Sequence, residues 1–464
     1  MKYSAKTLFD PGFLRHAFSI ALPVAIQQLV AASVNMIDVI MIGSLGDGAV
    51  AAAGAANQIF FLLSLALFGI ASGATVFLSQ FWGTRDKVNI HRTGSLMLLI
   101  GSVATLVFTL GALFIPRYLV QFYVHETYVV DLAADYLFIV GFSYPITALS
   151  MIFSTICRCT GNVRLPTVTS VVSVITNAVG NAVLIFGLFG FPAMGLRGAA
   201  IATVFARVLE AGILLFTIYR NRLPAAIPLQ KIFQLDRGFV KTYVRTTLPV
   251  LFNEVLWSIG NSLYNVAYGQ LGTSAVAAVQ ITGTVMQLFF VLQRGIGSAC
   301  SIMIGQRIGA DDEDGAILDS RRFTLLMPLA GLFICFMILL TTPLILSLYS
   351  VTEETLHLAW QLLMLNAILF TIRPMGNGIV VGILRSGGDT LYAAIVDVGA
   401  VWLFGVPLAF LGINLGFPLW GVFLCVASED IVKLIVAIPR LLSNKWIKNV
   451  ASQLQDGRNT NPEQ

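Results

Sequence analysis

The sequence predicts an all-α integral membrane protein of twelve transmembrane helices, arranged as two pseudo-symmetric six-helix lobes in parallel repeat. Three observations carry this expectation. The 464 residues are 57% hydrophobic and only 11% charged, against about a quarter charged in ordinary soluble domains. Twelve apolar runs long enough to cross a bilayer follow one another. The second six repeat the first.

The runs cover roughly 17–42, 50–78, 95–115, 132–156, 166–190 and 197–219, then 247–269, 276–304, 323–345, 356–384, 391–412 and 418–440. Basic residues crowd alternate connections. The N-terminus has Lys2, Lys6 and Arg15, the second loop Arg85, Lys87 and Arg92, and the fourth Arg158 and Arg164. The central loop has Arg220, Arg222, Lys231, Arg237, Lys241 and Arg245. The eighth has Arg307, Arg321 and Arg322, the tenth Arg385, and the tail Arg440, Lys445, Lys448 and Arg458. The opposite loops carry only Arg117 and Arg197. By the positive-inside rule both termini and the central loop are cytoplasmic. The net charge of +5 is therefore a topology signal, and a nucleic-acid partner is excluded. The expected partners are the lipid bilayer and small lipophilic molecules, with the chain acting as a monomer in the cell (inner) membrane.

The repeat is visible by eye. Leu45-Gly46-Asp47-Gly48-Ala49-Val50 aligns with Leu271-Gly272-Thr273-Ser274-Ala275-Val276, a spacing of 226 residues (45 to 271). Leu22-Pro23-Val24 aligns with Leu248-Pro249-Val250, Asn35 with Asn261, and Gln80 with Gln306. Gly195 aligns with Gly421, and Arg158 with Arg385 at a spacing one residue longer. Six spans return the chain to its starting side, so the lobes insert in parallel. Such repeats are typical of secondary transporters. The expected organisation is an N-lobe over 1–222, a cytoplasmic linker over 223–246, a C-lobe over 247–449 and a disordered tail over 450–464.

The sequence carries no catalytic motif. It lacks a phosphate-binding glycine loop ending in lysine, an HExxH pair and a GxSxG turn, which argues against a membrane enzyme. Its four histidines are scattered and its five cysteines have no zinc spacing, so neither metal nor cofactor is expected. The informative residues are acids inside apolar runs. Asp38 is the one charge between Phe18 and Asp47. A carboxylate at such a depth costs about 2.5–3.5 kcal/mol on insertion scales, so it faces a cavity or a partner and marks an ion or proton pathway. Asn177 and Asn181, four residues apart, share one helix face and are candidates to face it. The repeat places Asp38 on Tyr264 and Gln28 on Glu254, so the lobes share a frame but not their acids. Arg207 with Glu210, and Lys433 with Glu429 and Asp430, are spaced for local pairing. Arg294 and Arg373 have no local partner, and Arg294 is a candidate counter-ion for Glu254 or Asp397.

The opening LP…NMIDVIMIGSLG, the LPVLFNEVLWSIGNSLYN that starts the second half, and the TGN and SGGDT turns after spans four and ten resemble the multidrug and toxic compound extrusion (MATE) family of prokaryotic transporters, over about residues 10–445. The resemblance implies efflux of lipophilic, cationic drugs by antiport against H⁺ or Na⁺ with alternating access. It places Asp38, Asn177, Asn181 and Thr203 at an N-lobe coupling site, Pro23 at a bend in the first helix, and Glu254 at a second, C-lobe site for a cation or substrate, to which Asp397, as the nearest substitute for a tenth-helix acid, and Tyr264, the repeat's counterpart of Asp38, are added as candidates. It gives Trp257, Tyr268, Met286 and Phe289 a place on the cavity wall, where aromatic and thioether groups suit flat cations. Asn181 departs from the family, which has an aspartate there, and no acid is found in the tenth-helix GNGIVVGIL stretch. A lipid-linked oligosaccharide flippase of the same superfamily is the alternative reading. It predicts a more basic cavity and extra helices, which the sequence lacks.

Overall fold

The structure is a computed structural model, and it describes residues 10–228, 236–347, 349 and 351–452. Lys2, Lys6, Lys231 and Arg458 of the charge pattern, and the expected tail from residue 453 onward, lie outside the described residues.

Twelve helical spans follow in order. They are α1 (Pro11–Gly43), α2 (Asp47–Gly83), α3 (Lys87–Phe114), α4 (Thr127–Gly141 with Ser143–Cys159), α5 (Arg164–Phe186) and α6 (Leu196–Arg220), then α7 (Arg237–Gly269), α8 (Thr273–Gly309), α9 (Glu313–Leu346), α10 (Glu353–Leu369 with Arg373–Leu384), α11 (Thr390–Asn414) and α12 (Leu419–Leu442). Among the described residues no strand forms beyond one isolated bridge, Gly388 to Ile447. Ten of the spans are apolar and long enough to cross a bilayer. The two that fall short, α7 and α12, carry Glu254 and the Glu429, Asp430, Lys433 group.

Local chemistry sets several ends. Asp86 and Asp312 cap α3 and α9 by accepting from Asn89 N and Gly315 N, and Thr352 caps α10, each satisfying a first-turn N–H with no helical partner. Two spans predicted as single helices are bent pairs. The α4 pieces meet at 47° and the α10 pieces at 55°, with Pro145 and Pro374 at the breaks, where the ring removes a donor and crowds the preceding turn. In α10 and α11 the stretches Gly378–Leu384 and Ala400–Gly405 are π-helical. By contrast α1 runs through Pro23 as one helix.

Two expected boundaries shift. The linker over 223–246 ends earlier than predicted, because α7 already begins at Arg237, with Asp236 accepting from Phe239 N at 3.1 Å. The tail does not begin at 450: Val450 and Ala451 are buried, and Val450 N donates to the buried Gln80 Oε1 at 2.8 Å.

The described chain falls into two compact units. One comprises Ile26–Leu78 and Asp86–Tyr243; the other draws on Met1–Ala25, Ser79–Arg85 and Val244–Gln464. Each has its own apolar core. In the first, Ala52, Leu63, Ala133, Leu137, Tyr144 and Ala200 belong to it. In the second, Ala278, Ile338, Leu362, Phe370, Val401 and Ala409 do. Large apolar side chains such as Val107, Phe216, Leu340 and Leu344 remain exposed. Hydrocarbon, rather than water, is the solvent that suits such helix faces.

Candidate functional site

The first unit assembles a polar cluster around Asp38. It begins with close packing of α5 on α6. A Cβ at Gly198 would come 2.5 Å from Leu184 O, and one at Gly180 would come 3.0 Å from the Ala202 Cβ. Small residues let membrane helices approach closely enough for side-chain hydrogen bonds. Ser173 Oγ donates across the contact to Ala206 O at 3.0 Å, and one to two turns along the same face of α5 stand Asn177 and Asn181. Gly198→Val should force the helices apart at a cost of about 1–3 kcal/mol. The expected result is a lower melting temperature for the purified protein together with impaired transport; unchanged values for both would contradict the close approach.

Asn181, buried, donates through Nδ2 to Asp38 Oδ1 at 2.8 Å. The Asn177 amide joins it. With its nitrogen toward a carboxylate, Nδ2 donates to Asp38 Oδ2 at 2.8 Å and Oδ1 accepts from Thr203 Oγ1 at 3.2 Å. The Thr203 Oγ1 also lies 3.0 Å from Ala199 O, one turn back on α6. Hydrogen bonds to a charged group contribute about 1.5–3 kcal/mol each, so two amides suffice to offset the insertion cost of the ionised acid. Among the described residues Asp38 makes no ion pair. All four N-lobe residues predicted from sequence thus meet at one place. Tyr136, buried on α4, also faces Asp38 and Thr203. Sequence reading missed it, since a tyrosine in an apolar run looks like any core aromatic.

The second unit treats its acids differently. Glu254 is bonded by Arg385, whose Nη1 lies 2.9 Å from Oε1. Asp397 is held by Lys433 at 2.8 Å and accepts from Asn253 Nδ2 at 3.0 Å. Tyr264 donates to Glu429 Oε2 at 2.6 Å. Asp430 receives Arg373 at 2.8 Å rather than the Lys433 on its own helix. The expectation that Arg294 partners Glu254 or Asp397 is therefore corrected, and Arg385, expected as a loop charge, is buried. Glu254 and Asp397 each carry a fixed cationic side chain, so the C-lobe cation site expected at Glu254, Asp397 and Tyr264 has protein bases where a free cation would bind. Arg207 and Glu210 do pair locally, at 3.0 Å.

The residues expected on a cavity wall divide. Trp257 is exposed on α7. Tyr268 and Met286 are buried in the core of the second unit, where Tyr268 stacks on Phe423, and Phe289 packs against the same core. Tyr268 and Met286 are thus packed into a core in this structure, since aromatic and thioether groups at helical spacing serve a core as readily as a cavity. Pro23 lies on α1 two residues before the division between the units at Ala25 and Ile26. Among the described residues no group of histidine, cysteine, aspartate or glutamate side chains is arranged to hold a metal ion.

Comparison with known proteins places this architecture. The family model described as MatE matches residues 23–183 and 249–411, one match in each half of the repeat. The chain is 26% identical to the uncharacterized transporter YisQ of Bacillus subtilis over 93% of this chain and 94% of that one. It is 24% identical to the probable multidrug resistance protein NorM of Thermotoga maritima, over 94% of each chain, and 25% identical to the multidrug resistance protein MdtK of Edwardsiella ictaluri, over 86% and 87%. Among solved structures, an outward-facing multidrug resistance MATE family transporter of the MOP superfamily superposes with a TM-score of 0.85 at 19% identity, over 96% of this chain and all of that one. A MOP superfamily transporter from Pyrococcus furiosus, whose structure was described as having a binding pocket of reversed polarity, also gives 0.85, at 18% identity over the same shares.

Proposed function

The chain belongs to the MatE family, whose members are membrane transporters and not enzymes, and from that premise we propose that it expels lipophilic cationic molecules from the cell in exchange for protons bound at Asp38. Multidrug resistance is the role named for the relatives NorM and MdtK; it comes to this chain as part of the proposal, as do a location in the inner membrane and cytoplasmic termini.

One observation carries the proposal. Asp38 is a membrane-embedded carboxyl bonded by amides, and among the described residues no cationic side chain fixes its charge. A permanent ion pair would lock it ionised; amides accommodate both protonation states. Adding a proton at Asp38 Oδ2 turns that atom from acceptor to donor. The bond from the Asn177 amide to that atom is then lost. Gain and loss of one proton thus changes the bonding between α1 and α5, which is a differential interaction of the kind that biases a two-state transporter. A proton fits better than Na⁺. Sodium wants several oxygen ligands, and the groups turned toward the ionised Asp38 are amide N–H donors.

Asn181→Asp should reverse that preference by supplying a second carboxylate. Bound Na⁺ at 100 times its dissociation constant would stabilise the folded protein by about 2.7 kcal/mol. The variant's melting temperature should rise with added NaCl relative to choline chloride while the wild type's does not. A Na⁺-stabilised wild type would contradict the proton reading. The function itself is tested by efflux of a fluorescent cation from vesicles under a pH gradient and a Na⁺ gradient imposed separately. The proposal expects transport with the first alone; transport with the second alone would refute it.

A further inference from the structure

One linked cluster of charges in the second unit is unbalanced, and the proposed function does not use it. Four acids, Glu254, Asp397, Glu429 and Asp430, lie among three bases, Arg385, Lys433 and Arg373. Three short pairs match them one to one: Arg385 with Glu254 at 2.9 Å, Lys433 with Asp397 at 2.8 Å, and Arg373 with Asp430 at 2.8 Å. Glu429 is the acid left over. Its Oε1 lies 3.5 Å from a Lys433 that sits closer to Asp397, and its Oε2 accepts from the Tyr264 hydroxyl at 2.6 Å. With every group ionised these seven side chains sum to one net negative charge, three positive against four negative. An uncompensated charge buried in a membrane protein is expensive, and one proton removes it.

The internal repeat says which acid takes the proton. The spacing of 226 residues that superimposes Pro23 on Pro249 and Gly195 on Gly421 also carries Asp38 onto Tyr264 and Thr203 onto Glu429. In the first unit the carboxyl stands on the first helix of the repeat and the hydroxyl on the sixth, with Asn177 between them. In the second unit the hydroxyl stands on the first helix and the carboxyl on the sixth, in direct contact. We infer that Glu429 is a second proton-binding carboxyl, the C-terminal unit's counterpart of Asp38 with acid and hydroxyl exchanged between the paired helices.

Two further features fit. A Cβ at Gly405 would collide with the Tyr264 hydroxyl, so a glycine in the π-helical stretch of α11 is what leaves the phenol room to reach Glu429. Such wide turns recur at functional sites. Asn253 is 1% exposed, and its Nδ2 donates to Asp397 at 3.0 Å, which ties α7 into the network around Lys433. The groups facing Glu429 are Tyr264 and Tyr268 on α7, Arg373 on α10, and Asp430 and Lys433 on α12, with Asp397 on α11 across the shared lysine. With Glu429 protonated, Lys433 serves Asp397 alone. Once the proton leaves, the ammonium is drawn between the two carboxylates.

The symmetry argument rests on the proton reading of Asp38, and the test separates the two. Infrared difference spectra between acid and alkaline pH, recorded on the reconstituted full-length protein, report the carbonyl stretch of each protonated carboxyl. Among the bands of the chain's 23 acids, the wild type should show one from each of these two carboxyls. Asp38→Asn should remove one and Glu429→Gln the other. Tyr264→Phe, which deletes the hydrogen bond but not the acid, should shift the Glu429 band and leave the Asp38 band in place. A Glu429→Gln spectrum that keeps every wild-type band overturns the inference. If that variant does not fold, a Tyr264→Phe spectrum identical to wild type does so. Loss of a band in Glu429→Gln with none lost in Asp38→Asn would support the inference and sink the proton reading of Asp38.

Discussion

Asp38→Asn should insert into the membrane at the wild-type level, while efflux driven by a pH gradient falls to that of vesicles lacking the protein. Asparagine has the shape of the protonated acid and can still bond Asn177 and Asn181. The variant keeps the hydrogen-bonded cluster of α1, α5 and α6, and it spares the chain the cost of burying a charge, about 2.5–3.5 kcal/mol. What it loses is the second charge state. The Asn177 amide then has one neighbour polarity instead of two, and no proton travels with each cycle. The variant should bind a fluorescent substrate as the wild type does, which separates lost coupling from lost recognition. The measurement pairs surface expression with efflux. Wild-type efflux in this variant would remove Asp38 from the mechanism.

Lys433→Met should be the most destructive single change in the second unit. The ammonium is 3% exposed and bonds Asp397 at 2.8 Å. Its removal leaves the buried Asp397 with Asn253 as its remaining hydrogen-bond donor among the described residues and takes the ammonium away from Glu429 as well. Breaking a buried pair in this one-sided way costs about 3–5 kcal/mol, a large share of the 5–15 kcal/mol that holds a typical domain together. Little folded protein should be recovered from the membrane. Removing both charges should restore much of the loss, because two neutral groups leave nothing uncompensated. The measure is folded yield and melting temperature for Lys433→Met, Asp397→Asn and the double variant Asp397→Asn/Lys433→Met. A double variant no better than Lys433→Met would show that the lysine does not act as a counter-ion to Asp397.

These two residues mark how far the sequence could be read. Asp38 was legible because it stands alone in an apolar run, and Asn177 and Asn181 because a spacing of four residues puts them on one helix face. Those signals are local. The twelve spans and the repeat come from the same kind of signal, summed over long stretches. The bends in α4 and α10 could have been read from Pro145 and Pro374, but an apolar run hides its breaks. Of the C-terminal charges, the spacing of four between Glu429 and Lys433 does give a contact, at 3.5 Å, but the other pairs lie beyond sequence because ion pairing inside a membrane is a tertiary property. Arg385 looked like a loop charge and is buried against Glu254. Asp430 stands three residues from Lys433, yet it bonds Arg373 on another span. Arg294 was a plausible counter-ion only because its distance from either acid could not be inferred from sequence. Tyr136, which faces Asp38, carried no signal at all.

The exchange of charge for substrate is most directly tested by counting protons. In proteoliposomes carrying a pH-sensitive dye, with no imposed pH or Na⁺ gradient, a concentration gradient of a cationic substrate should drive protons in the opposite direction through the wild-type protein. It should drive none through Asp38→Asn. Substrate movement without proton counterflow in the wild type, or undiminished counterflow in Asp38→Asn, would contradict the account.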